Sequence, residues 1–176
     1  MESLFARASS VEVTECVLPS GRSALIRRLQ VHFGEASPNR LRQGALAASY
    51  TSKPLVTYDG AAMFGELALL RWLEVDGWEG AWLDTVHDRK SWRHMPTRSS
   101  PVALPPAEQE LYDRIIAANG DRASGFYDVM AWRADHTIFV DYRLPTERGP
   151  KLERAWLDAA LDAGVSANDF FVVTAV

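Results

Sequence analysis

The sequence predicts a single α/β domain in which a mixed β-sheet is flanked by helices. Three observations carry that expectation. The chain has 176 residues, long enough for one well-buried core and short for two. Hydrophobic residues make up 47% and charged residues 24%, the balance of a globular chain and not of a disordered one. From residue 59 onward the apolar spacing switches between helical and strand periods. The order is helix, strand, helical insert, strand, strand, helix, strand.

Residues 1–53 are the least regular, and are expected as an N-terminal extension packed on or beside a domain formed by residues 54–176. Within them VEVTECVL alternates as a strand, SALIRRLQVHF suits a short helix or strand, and GEASPNRLRQG reads as loop. In DGAAMFGELALLRWLEVDG, Met63, Leu67, Leu70 and Leu73 fall at helical spacing, with Asp59 as a candidate N-cap and Gly77 as a stop. GAWLDTVH reads as a strand, Trp82 alternating with Asp84 and Val86. A polar, basic, proline-broken loop follows, and then PPAEQELYDRIIAANG, a helix opening on proline and acids and closing on Asn-Gly. GFYDVMAWRADHTIFVDYR is expected to be a β-hairpin with its tight turn at Ala134–Asp135. Residues 150–163 form an amphipathic helix, with Leu152, Trp156, Ala159 and Leu161 inward and Gly164 ending it. FFVVTAV is a last strand buried on both faces. Trp72, Trp78, Trp82 and Trp156 lie in periodic segments and are expected in the core.

Composition removes several function classes. A single cysteine, Cys16, excludes an intrachain disulfide and a cysteine-rich zinc site, and fits a reducing compartment. The N-terminus carries no apolar stretch of signal-peptide length, and no run of about 18 apolar residues occurs. A cytoplasmic protein with no membrane contact is therefore expected. The net charge of −4 argues against a general nucleic-acid coat. It is unevenly spread: residues 1–53 hold seven Lys/Arg against four acids, an excess of three, so the rest carries −7.

The candidate chemistry lies on the hairpin. Asp141 and Arg143 are two apart on one strand and share a face. With the turn at 134–135, residue i pairs with about 269 − i, which sets Asp128 opposite Asp141. Facing carboxylates repel unless something positive lies between them. Arg143 or a divalent metal on hard oxygen ligands answers that need, and Glu66 in the preceding helix is a candidate third carboxylate.

Together these features resemble the PD-(D/E)XK nucleases, and more closely the virus-type replication-repair nuclease (VRR-NUC) subgroup. The residues that carry the resemblance are Gly125-Phe126-Tyr127-Asp128, Asp141-Tyr142-Arg143, and the helix running Leu152-Glu153-Arg154-Ala155-Trp156-Leu157. It covers roughly residues 60–176. It implies a restriction-endonuclease-like αβββαβ core with a helical insert after the first core strand, and metal-dependent hydrolysis of phosphodiester bonds, in DNA first. By resemblance, Asp128, Asp141 and Glu66 hold Mg²⁺ or Mn²⁺, with the Tyr142 carbonyl as a further ligand. Arg143 stands where the family has lysine, and Lys151 is a candidate substitute from the next helix. Tyr127 replaces a proline, Glu153 a glutamine, and Asp141 is a shorter acid than the commoner Glu. The loop residues Arg89, Lys90, Trp92, Arg93 and His94 mix cations with aromatics and are candidate nucleic-acid contacts. A homodimer is compatible with all of this. Two alternatives stand beside the enzyme. One is a catalytically silent nuclease-like module that binds nucleic acid or a protein partner. The other is an assembly subunit with a tryptophan-rich surface.

Overall fold

The computed structural model describes residues 2–35, 50, 53–85, 90–96, 100–123, 125–144 and 151–176. A short helix, α1 (Glu2–Arg7), leads into two antiparallel strands, β1 (Ala8–Val17) and β2 (Ser23–Val31). A brief β3 (Gly34–Glu35) pairs with β4 (Leu55–Tyr58), which turns back as β5 (Ala61–Phe64). Next come α2 (Gly65–Val75), β6 (Glu79–Asp84), β7 (Lys90–Trp92) and α3 (Pro106–Ala118). The chain then forms β8 (Val129–Arg133), β9 (His136–Arg143), α4 (Lys151–Asp162) and β10 (Phe170–Ala175). Among the described residues, no helix is long and apolar enough to cross a membrane.

Seven strands make one mixed sheet in the order β1-β2-β10-β9-β8-β6-β7, and β3, β4 and β5 make a small second sheet. Strand β8 runs antiparallel to both its neighbours, β6 and β9, whereas β10 lies parallel to both β9 and β2. The parallel step follows from the connection. A helix, α4, carries the chain back across the sheet, as a parallel neighbour requires. The α/β class is therefore present, and from Gly65 onward the expected order of helix, strand, helix, strand, strand, helix, strand is found with the short β7 added. The N-terminal segment supplies two strands of the same sheet, with β2 hydrogen-bonded directly to β10.

Strand alternation divides the core into two layers. Val140 and Ile138 pack with Leu67, Leu70 and Leu73 of α2 and Leu4 of α1. Phe139 on the other face packs with Trp156 and Leu157 of α4 and Ile115 of α3. The sheet is thus covered on both sides. All six tryptophans, Trp72, Trp78, Trp82, Trp92, Trp132 and Trp156, are buried. That removes the tryptophan-rich surface on which the assembly-subunit reading rested.

One boundary differs from expectation. Asp59 does not cap α2: Asp59 and Gly60 are the two turn residues of the β4–β5 hairpin, with Tyr58 paired to Ala61. Both have positive φ, 47° and 74°. An Asp-Gly pair is the preferred occupant of such a primed turn. The helix starts at Gly65, and its N-cap position is Phe64.

Candidate active site

The β8–β9 hairpin pairs Val129 with Val140 and Arg133 with His136, so paired numbers sum to 269 as expected. Its two-residue turn begins at Ala134, whose φ of 55° lies in the left-handed region that primed turns use. This register sets Asp128, the residue before β8, opposite Asp141 inside β9. The Asp128 carboxylate accepts a hydrogen bond of 2.9 Å from the Tyr142 backbone N–H. Its own carbonyl accepts from the Leu83 N–H at 2.7 Å. Asp128 is therefore fixed at the junction of β6, β8 and β9.

Helix α2 brings Glu66 to the same place. A Cβ on Gly65 would fall 2.0 Å from the Tyr142 ring, so only glycine lets the first turn of α2 lie against β9. Glu66, the next residue, is 2% exposed. Its Oε1 pairs with Lys53 Nζ at 2.6 Å. Its Oε2 is buried with no hydrogen-bond partner among the described residues. Burial pushes the Asp128 carboxyl well above the usual carboxylate range, and the charges of Glu66 and Asp141 push it further. Lys53 and the Tyr142 N–H oppose that rise without cancelling it. For Lys53, burial alone would lower the ammonium, but Glu66, with Asp128 and Asp84, together outweigh it and hold the group above its ordinary value.

Beside Asp128 is a recess of about 80 Å³, lined by Tyr50, Lys53, Trp82, Asp84 and Thr85. The Tyr50 hydroxyl donates to Asp84, which is buried at the end of β6. The Lys53 ammonium lies 5.2 Å from the centre of the Trp82 ring. Asp141 turns elsewhere. Its Oδ2 accepts from Arg143 Nε at 2.5 Å, and both side chains are nearly buried.

The candidate set is thus partly assembled. Glu66 and Asp141 are each near enough to Asp128 to repel it, but among the described residues no three acid, His or Cys side chains are grouped so as to cage a metal. The donor set still fits a hard divalent cation. Glu66 offers an orphan oxygen, Asp128 a carboxylate disfavoured in its charged state, and Mg²⁺ is commonly held by one or two carboxylates plus water or phosphate oxygens. Tyr142 contributes its N–H to Asp128, and its ring packs on Gly65.

Lys53, Tyr50 and Asp84 are additions to the set read from sequence. Lys53 is one of only three lysines in the chain, which was its sole signal. Asp84 was visible as a strand acid alternating with Trp82. Nothing around Tyr50 marked it.

The other expectations divide. Lys151 opens α4, with its side chain outside those described, and Arg89 lies outside the described residues. Trp92 is buried against Tyr50, so its ring offers no face to an unpaired base. Lys90 is half-buried in β7, Arg93 is 3.7 Å from Glu79, and His94 is exposed. These residues form an edge strand and its end, not an open basic loop. No family model, curated protein or solved structure matches the chain.

Proposed function

We propose that the chain is a divalent-metal-dependent nuclease of the restriction-endonuclease-like type, acting on phosphodiester bonds and on DNA first. The observation that carries this reading is the buried Glu66 beside the half-buried Asp128, one with an orphan oxygen and the other with its charged form disfavoured. Perturbed carboxylates beside a recess are candidates for functional groups. The αβββαβ order around the hairpin supports the same reading.

Glu66 and Asp128 would hold Mg²⁺ or Mn²⁺. When bound there, such a cation polarises the scissile phosphate and lowers the pKa of the attacking water. The remaining roles belong to this chain's own groups. The Tyr142 N–H fixes the orientation of Asp128. Lys53, cationic and next to Glu66, supplies the positive group that a lysine two residues after Asp141 would otherwise give. Asp141 orients Arg143, whose guanidinium keeps a fixed charge but transfers no proton.

A silent, binding-only module is favoured by one observation: Arg143 already neutralises Asp141, and Lys53 neutralises one oxygen of Glu66. Cleavage decides between the two readings. Mixed single- and double-stranded DNA and RNA substrates are incubated with Mn²⁺ or Mg²⁺, using wild type, Asp128→Asn and Lys53→Met. Metal-dependent cutting, abolished in Asp128→Asn and reduced about 100-fold or more in Lys53→Met, is expected. Cutting that persists in Asp128→Asn, or no cutting by the wild type with either metal, contradicts the nuclease reading.

A further inference from the structure

On the face of the sheet opposite α2, a second recess lies between the β1–β2 hairpin and α4. It has a volume of about 50 Å³. Three arginines line it, Arg28 from β2, Arg143 from β9 and Arg154 from α4, with Thr14, Cys16 and the buried Tyr127 beside them. The register explains the convergence. Arg28 is the partner of Val172, and Val172 is the partner of Asp141, so the three form one row across the sheet. Arg143 is two residues beyond Asp141 on the same face.

Like charges brought together in a partly dry recess repel, unless an anion accompanies them. Arg143 has Asp141. Arg28 and Arg154 have no ion-pair partner among the described residues, although Glu12 lies across from Arg28 and Glu15 is itself one of the lining residues. Ile26, Leu157 and Val172 form an apolar floor, which strengthens any charge-assisted hydrogen bond made above it. A water needs roughly 10–15 Å³ of such space, so the recess holds the equivalent of three to five waters, about the oxygens of one tetrahedral anion.

We propose that this recess is a phosphate-binding pocket, with Arg28, Arg143 and Arg154 as its cationic walls and Thr14 as a hydroxyl donor. Planar guanidinium forks match a phosphate's paired oxygens, which ammonium groups do not. The pocket stands on its own residues. Its use as a subsite for a second phosphate of the substrate strand rests on the nuclease reading. In that use Arg143 joins the two sites, because a phosphate on its guanidinium competes with Asp141 for it.

Cys16 makes the test direct, since it is the only cysteine in the chain and lines the recess. The rate of its alkylation by iodoacetamide, a neutral reagent, is measured on the whole chain with a chelator present. Inorganic phosphate is titrated at constant ionic strength. Saturable slowing is expected, with the half-protecting concentration raised about tenfold by Arg154→Gln and by Arg28→Gln, and less by Arg154→Lys. Arg154 is exposed, so its variants keep the test sound should Arg28→Gln fail to fold. No slowing, slowing that chloride reproduces, or slowing unchanged in Arg154→Gln overturns the pocket. A trinucleotide that protects better than phosphate identifies a strand phosphate as the ligand. Stronger protection by phosphate, or only by the 5′-phosphorylated trinucleotide, identifies a terminal or free phosphate. The readout needs no cutting, so protection without cleavage removes only the nuclease reading, and cleavage without protection removes only the pocket.

Discussion

Asp128 faces an energetic problem, because its carboxylate is largely withdrawn from water beside those of Glu66 and Asp141. A carboxyl whose folded pKa is raised stabilises the fold only while protonated, and that contribution is lost as pH rises through the folded value. Asp128→Asn therefore removes a penalty. In metal-free buffer at neutral pH it is expected to stabilise the chain by roughly 0.5–2 kcal/mol in denaturant unfolding, while abolishing function. A destabilised Asp128→Asn chain would mean that its carboxylate is a structural acceptor and nothing more. The Lys53–Glu66 pair behaves oppositely. Removing one partner of a fully buried pair costs about 3–5 kcal/mol. Lys53 keeps 31% of its side chain exposed, so Lys53→Met is expected to cost less, about 2 kcal/mol. Lys53→Met/Glu66→Gln should recover most of that loss, and a double-mutant cycle measures the coupling. Additive single effects would show that the two groups do not depend on each other.

At the scale of elements, packing places the site where chain order alone would not. Gly65→Ala drives a methyl into the Tyr142 ring, so α2 or the ring must move. The expected result is a loss of about 1–3 kcal/mol, together with weakened metal binding because Glu66 shifts. Unchanged metal affinity in a folded Gly65→Ala variant would mean that Glu66 is not part of the site. Asp158 of α4 fastens the β1–β2 turn by accepting from the Ser20 N–H at 2.7 Å, the Ser20 hydroxyl at 2.8 Å and Arg22. Burial would raise its carboxyl, yet these bonds outweigh it and hold it below the ordinary value. Its contribution is complete above the unfolded carboxyl's pKa of about 3.9, and is lost as pH falls through the lower folded value. Asp158→Asn should thus lower Tm at neutral pH and flatten the fall of Tm below about pH 4. An acid limb identical to wild type would contradict this. The same elements show what the sequence made legible. The β8–β9 register followed from a two-residue turn between alternating or apolar runs, and the observed pairs sum to 269 as expected, with Asp128 just before β8 and not within it. Asp59–Gly60 was read as a helix start because the apolar run AAMFGELALL is continuous across β5 and α2. Tyr50 and Lys53 reach the site from outside any periodic element, so spacing held no trace of them.

The whole molecule is held by one sheet to which both ends of the chain belong. Strand β2 covers the edge of β10, and Leu29 and Val31 are buried with Phe171 and Val173. A chain beginning at residue 54 is expected to lose cooperative unfolding, as read by near-ultraviolet circular dichroism, because it exposes that edge and that layer and also removes Lys53 and Tyr50 from the site. A cooperative transition in the truncated chain would contradict this. In the N-terminal segment VEVTECVL was legible as a strand and makes most of β1, whereas SALIRRLQVHF left helix or strand open and forms β2. With the sheet intact, Mn²⁺ calorimetry on the wild type, Asp128→Asn and Glu66→Gln tests the proposed metal site most directly. Saturable binding at one site, lost or weakened about tenfold or more in both variants, is the expected result. No heat of binding at millimolar Mn²⁺ in the folded wild type, or binding untouched by both variants, would contradict it.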